Sequence, residues 1–160
     1  IELATPKTKM AANIFNQTDY AGIKNRINRL NAESQRQWGK MTLPQMLEYC
    51  SIQLKRALGI IPETAYEGPS VFRTAFGRWL LFYAMPWPKG AATPSQMNMS
   101  TNGLPVADIQ VSKQALLDLL ERVQLQERFN THAFFGKMDI KDWGRLMWKH
   151  LDHHLRQFGN

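Results

Sequence analysis

The sequence predicts an all-α protein, an antiparallel four-helix bundle with one long crossover loop. Three observations carry that prediction. Apolar residues recur at steps of three and four through separate stretches, each opened by a residue suited to cap a helix. The one long segment without a helical period, Pro86 to Val111, contains no convincing strand. Finally, 160 residues with 44% hydrophobic content suffice for one domain that buries a core without disulfide staples.

Five helical segments emerge in order. The first spans about Thr18 to Leu30, with Tyr20, Ile23, Ile27 and Leu30 inward after an acidic start at Asp19. The second opens at Thr42-Leu43-Pro44-Gln45, where Thr42 caps, Pro44 fits the first turn and Gln45 completes a capping box. Its stripe is Leu43, Leu47, Cys50, Leu54 and Ala57, and Gly59 stops it. Ser70 starts a third, with Phe72, Phe76, Leu80 and Tyr83 inward, ended at Met85-Pro86. The segment from Pro86 to Val111, holding Gly90, Pro94, Asn102-Gly103 and Pro105, reads as a functional loop or a strap across the bundle. Ser112 is expected to cap a fourth helix, with Ala115, Leu116, Leu119, Leu120 and Val123 inward. Asp139 caps the last, and Asp142 supports its first turn.

Composition narrows the function classes. Cys50 is the single cysteine, so the chain holds no internal disulfide, and among Met46, Leu47 and Leu54 it reads as an inert buried thiol. The formal charge is +7, yet the basic residues are scattered among acids and no nucleic-acid motif accompanies them. Nucleic acid is therefore not an expected partner; solvated faces and a modest preference for anions are. No stretch reaches the eighteen or so apolar residues of a membrane span; Trp79 to Trp87 comes nearest and is broken by Pro86. Residues 1–12 read as a flexible linker, an expression remnant or the mature end of a processed precursor, and residues 13–160 as one bundle domain. The cytoplasm is the expected compartment.

The chemistry concentrates in the last helix, which holds His150, His153 and His154. At about 100° per residue, side chains four apart return to one helix face. His150 and His154 can thus grip one divalent ion, the geometry of paired histidines on zinc-enzyme helices. They also lie on the stripe Trp143, Met147, His150, His154 and Phe158, which is the spacing of a buried seam. Imidazoles there are either interior ligands or hydrogen-bonded core residues.

Beside this reading stands a resemblance. Trp38-Gly39-Lys40-Met41, Gln45-Met46-Leu47, Phe134-Phe135-Gly136-Lys137, Trp143-Gly144 and above all Lys149-His150-Leu151-Asp152-His153-His154-Leu155-Arg156-Gln157-Phe158-Gly159 resemble a bacterial family of unknown function within the DinB/YfiT-like superfamily of proposed metalloenzymes. The similarity runs from about Asn13 to the end. It implies a four-helix bundle, often a homodimer, with three histidines holding zinc or nickel at one end. One histidine comes from the second helix and two, four apart, from the last. Characterised relatives activate a low-molecular-weight thiol or a water, acting as thiol transferases, isomerases or hydrolases. The last-helix pair maps onto His150 and His154.

The second-helix ligand is where the chain departs. The family pattern Met-Leu-x-His-Cys reads here Met46-Leu47-Glu48-Tyr49-Cys50, so Tyr49 stands at the histidine position. A phenolate ligates iron, but a phenol with pKa near 10 is a poor ligand for zinc at neutral pH. Glu48 and Cys50 lie about 100° to either side and need a local rotation to substitute. Tyr49 is accordingly expected as a third ligand, a proton donor, or a hydrogen-bond partner of a core histidine. His153 is either a pocket residue near the metal or surface-facing, and Asp152 is expected in solvent. His132 either lines the mouth of a pocket or bonds to backbone. Arg156 either meets an anionic substrate or ties down the bundle end. Two functions follow: a metal-dependent transferase or hydrolase using zinc, nickel or iron on a small molecule, or a non-catalytic bundle that binds a small molecule or dimerises.

Overall fold

The computed structural model describes residues 9–63, 68–90 and 108–160. Among them are the α-helices α1 (Gln17–Arg29), α2 (Leu43–Ala57), α3 (Ala75–Trp79), α4 (Ile109–Leu125) and α5 (Ile140–Gln157). A 3-10 turn, Ser70–Arg73, precedes α3, and a π-helical stretch, Leu80–Ala84, continues it. The four longer helices close a ring of packing: α2 lies on α4, α4 on α1, α1 on α5 and α5 on α2. One apolar core fills it, with Ile23, Ile27, Leu47, Leu54, Leu116, Leu120, Met147 and Leu151 among its members. The all-α bundle follows from those stripes, because each helix buries one apolar face only by meeting the others.

Local signals set the helix starts. Asn16 caps α1 through Asp19 N, and Thr42 and Gln45 form the reciprocal capping box of α2. Asp139 caps α5 through the Asp142 amide. The helix α4 begins earlier than its sequence suggests: Asp108, not Ser112, takes the Gln110 and Val111 amides, and Ser112 is buried inside the helix. A carboxylate at a helix start satisfies two free N–H groups and the dipole at once.

The third segment also differs. It breaks at Thr74, whose hydroxyl takes the Gly77 amide and restarts the helix. The π-helical stretch then shifts the register, since an added residue per turn rotates every later side chain. Phe82, within that stretch, is the fully buried anchor, whereas Phe76, which precedes it in α3, is 64% exposed. The crossover expected between Pro86 and Val111 lies largely outside the described residues, as do residues 1–8 of the N-terminal segment.

Several basic residues expected in solvent are structural instead. Lys113 donates to the Asn28 and Leu30 carbonyls at the C-terminal end of α1, closing that helix end. Lys149 reaches the Leu81 and Phe82 carbonyls of the π-helical stretch and that of Met85 just after it, and Arg145 takes those of Phe82 and Ala12. Burial, ahead of repulsion from Arg145 and Arg156, lowers the Lys149 ammonium to about 8. No helix among the described residues is long and apolar enough to cross a membrane.

Candidate functional site

The inward faces of α2 and α5 meet around three rings. Tyr49 projects from α2 between the two histidines of α5, its ring centroid 5.2 Å from that of His150 and 5.3 Å from that of His154. The two imidazoles are 4.7 Å apart, centroid to centroid. The four-residue step thus does what its spacing predicts, and Tyr49 occupies the place on α2 that faces the pair. No described residue takes a hydrogen bond from the Tyr49 hydroxyl; ring contact, and not hydrogen bonding, relates it to the histidines.

Each histidine of the pair has a distinct electronic setting. The Nδ1 of His154 lies 2.9 Å from Gln157 Oε1, and Gln157 Nε2 donates to the Trp38 carbonyl at 3.0 Å. A carbonyl only accepts, so the amide must present its NH₂ to Trp38 and its oxygen to the imidazole. His154 therefore carries its proton on Nδ1 and leaves Nε2 as a bare lone pair, the tautomer that a ligating histidine needs. The Nε2 of His150 is fully enclosed and has no hydrogen-bond partner. Burial, followed by the neighbouring His154, His153 and His132, holds His150 well below its ordinary pKa. Burial also lowers His154 to about 4, with Gln157 pulling the other way. Both rings are neutral at pH 7, as metal ligation requires.

The motif around Trp38 has its reason here. The turn over residues 35–39 lies across the C-terminal end of α5, pinned by the Gln37 amide on the Gln157 carbonyl. Gly39 has φ 80°, and a Cβ there would come 2.5 Å from Gln157 Nε2. Only glycine supplies both the left-handed backbone and the room for that amide. The Trp38-Gly39 and Gln157 elements, far apart in sequence, form one bracket that holds His154.

Other candidate residues fall into place around this pair. His153 stands at the rim, its ring within 6 Å of Trp38 (5.7 Å) and Trp87 (5.9 Å). It lines a surface pocket of about 240 Å³ with Trp87, Trp148, Lys149 and Arg156. Arg156 is 59% exposed and pairs with Asp152 at 2.9 Å, one helical turn before it. Asp152 is not in solvent: it is 13% exposed and also binds Arg26 of α1 at 2.8 Å. That buried pair needs both partners, so Asp152 ties α1 to α5 and does not orient an imidazole.

His132 lies in the loop before α5. Its Nδ1 accepts the Phe134 and Phe135 amides at 3.0 and 3.1 Å, so its proton sits on Nε2. Burial and then Arg56 lower it to about 4, and its ring packs on Trp143 at 5.5 Å. It is the backbone-bonded loop imidazole, turned toward the interior.

The implied metal can be tested against these donors. Two neutral imidazoles fit, one through a nitrogen that lacks any partner and one through a fixed tautomer. Tyr49 does not fit as a resting anionic ligand, because burial, with Cys50 adding and Arg56 opposing, raises its phenol well above its ordinary value. Among the described residues no group of three His, Cys, Asp or Glu side chains converges on a metal-sized site, so neither Glu48 nor Cys50 completes the pair. The Cys50 thiol contacts the Met46 sulfur at 3.7 Å, and burial pushes it up to about 12. It is inert packing. A metal here would have two protein nitrogens and open positions.

Sequence reasoning missed Gln157 as the residue that sets the His154 tautomer, and also the polar face of α2 beyond Tyr49. A signal existed for the second: Gln53 and Arg56 follow Tyr49 at helical spacing. Gln157 gave none, because its partner Trp38 lies 119 residues away.

Compared with known families, residues 13–160 match the family described as "Protein of unknown function (DUF1569)". The match covers nearly the whole chain, and the chain belongs to that family. No curated protein and no solved structure matches it.

Proposed function

We propose that this member of the family is a DinB/YfiT-like protein of bacterial type whose His150–His154 pair holds a divalent metal, zinc, nickel or iron, for transfer or hydrolysis on a small molecule. The observation that carries this reading is the enclosed, partnerless Nε2 of His150 beside a His154 whose Nδ1 is tied to Gln157. A buried polar atom without a partner costs about 1–3 kcal/mol, a penalty that a ligand at that point removes. A bound divalent ion supplies Lewis acidity that lowers the pKa of a thiol or water at an open position.

The chain's own residues define the rest. Gln157 fixes His154, Tyr49 stands between the imidazoles as a neutral phenol able to donate a proton, and Trp38 and Trp87 flank the rim at His153. A low-molecular-weight thiol is the expected co-substrate, which goes with a cytoplasmic setting where thiols stay reduced. The exposed apolar residues Val71, Phe76 and Trp79 on and before α3 are the surface a homodimer would cover.

The second reading is a non-catalytic bundle that binds a small molecule. Tyr49 favours it, since a phenol in place of an imidazole removes one ligand. Elemental analysis of chelator-free protein beside a His150→Ala/His154→Ala variant separates the two. Near-stoichiometric metal lost in the variant supports the first reading. No metal after exposure to zinc, nickel and iron refutes it and leaves the second.

A further inference from the structure

Beyond the imidazole pair, the same interface encloses a set of polar groups that the metal reading does not use. On α2, Tyr49, Gln53 and Arg56 follow one another at steps of four and three and so share a face. On α5, Trp143 lies two turns before His150 on the histidine stripe. The loop carrying His132 is pinned to the end of α2 by the Asn130 amide on the Ala57 carbonyl, 2.8 Å. These elements close on each other. His132 packs on Trp143, Arg56 lies near enough to His132 and Tyr49 to influence both, and Tyr49 touches His150.

The hydrogen-bond chemistry of this cluster is one-sided. Gln53 Nε2, Arg56 Nε and Nη1, and Trp143 Nε1 are all enclosed and all lack a partner. Every one is a donor. His132 adds a fifth donor nitrogen, because its Nδ1 is occupied as an acceptor and its proton is on Nε2. Trp143 is 3% exposed, so its indole N–H has no recourse to bulk water. Among the described residues no carboxylate pairs with Arg56. An unpaired buried donor is costly, the more so when charged, so these four atoms favour an acceptor supplied from outside the chain.

We propose that this donor cluster binds the carboxylate of a small organic acid, seated on Arg56, Gln53, Trp143 and His132, with the rest of the molecule directed toward Tyr49, His150 and His154. A carboxylate brings about four lone-pair sites and no hydrogens of its own. Arg56 is the charged donor of the set, and each edge of a guanidinium is a fork that carboxylates accept in parallel; Nε and Nη1 lie on different edges, so either one can be a tine, with Nη2 as the other. A single water accepts from at most two of these donors, whereas a carboxylate offers about twice as many lone pairs. The only formal charge in the set is the single guanidinium, since His132 is neutral; a monoanion balances it and a phosphate dianion does not. Gln53 and Arg56 each keep some exposed surface, which gives the acid a way in. The inference stands apart from the metal, because none of its four residues is a proposed ligand.

The test reads the Trp143 indole N–H directly. In a proton–nitrogen correlation spectrum of the metal-free full chain, its resonance is assigned by its loss in Trp143→Phe. It is then followed during titration with propionate, benzoate and inorganic phosphate at constant ionic strength. The expected result is a saturable downfield shift with the carboxylates, weakened roughly tenfold or more in Arg56→Met, as loss of a charged, forked hydrogen bond implies. Arg56→Met is also expected to fold at least as stably as the parent, because it removes an unpaired buried charge. Arg56→Lys keeps the charge without the fork and should recover only part of the affinity. A shift that does not saturate, one that is equal in Arg56→Met, or tighter binding of phosphate than of either carboxylate overturns the proposal. Repeating the titration after zinc loading separates it from the metal reading: carboxylate binding without metal binding leaves this inference intact and removes the other.

Discussion

Replacing Gln157 with leucine removes the bracket on His154 while nearly preserving volume. Gln157 is 4% exposed and makes two hydrogen bonds, 2.9 Å to His154 Nδ1 and 3.0 Å to the Trp38 carbonyl. In Gln157→Leu the His154 nitrogen is left enclosed, while the part-buried Trp38 carbonyl can turn to water, so the fold loses roughly 1–3 kcal/mol, the usual cost of one orphaned polar group. The functional effect is separate. Without an acceptor at Nδ1, His154 redistributes between tautomers and rotates, and loss of such an orienting partner weakens metal binding about 10- to 100-fold. At about 1.4 kcal/mol per factor of ten, that is roughly 1.4–2.8 kcal/mol. Zinc affinity is read by competition with a chromophoric chelator, and folding by circular dichroism in the same samples. Gln157→Glu is the companion variant. Its carboxylate accepts the Nδ1 proton more strongly but cannot donate to Trp38. It is expected to lose stability yet hold zinc at least as tightly as the parent. A folded Gln157→Leu protein with parental zinc affinity would refute the assignment of His154 Nε2 as a ligand.

Acid should destabilise the metal-free protein in a defined window. His132 and His154 sit at about 4 in the fold against about 6.5 when unfolded. Between those values the unfolded chain binds more protons, so stability is full above about pH 6.5 and falls as pH drops toward 4, by up to about 3 kcal/mol for each imidazole. Urea unfolding across that range checks it, and a flat profile would count against the buried neutral rings. Tyr49→His restores a third imidazole facing the pair and should raise zinc affinity by tenfold or more, about the worth of an added ligand; unchanged affinity would mean that α2 does not present this position to the metal. Gly144→Ala places a Cβ against the Asn13 side-chain oxygen and 2.5 Å from Phe15 Cδ2. The resulting overlap should cost about 1–3 kcal/mol, visible as a lower melting temperature, with zinc affinity per folded molecule unaltered.

The sequence by itself determined the helices with complete local signals. The α2 start is spelled out by Thr42, Pro44 and Gln45, and its stripe from Leu43 to Ala57 is buried as its spacing requires. The last helix was equally legible, because a four-residue step puts His150 and His154 on one face whatever surrounds them. Local rules failed where a contact from elsewhere outweighed them. Phe82 and not Phe76 is the anchor of the third segment, which breaks at Thr74 and passes into a π-helical stretch at Leu80. Lys113, Arg145 and Lys149 point inward because distant carbonyls need donors there. Only the tertiary structure decided the chemistry of the site: Trp38 and Gln157 must meet before His154 has a tautomer, and α2, α5 and the His132 loop must close before Gln53, Arg56 and Trp143 become enclosed donors. Helical periodicity says which face a side chain occupies. Solvation and hydrogen-bond partners depend on what that face meets, and no local stretch of sequence encodes that.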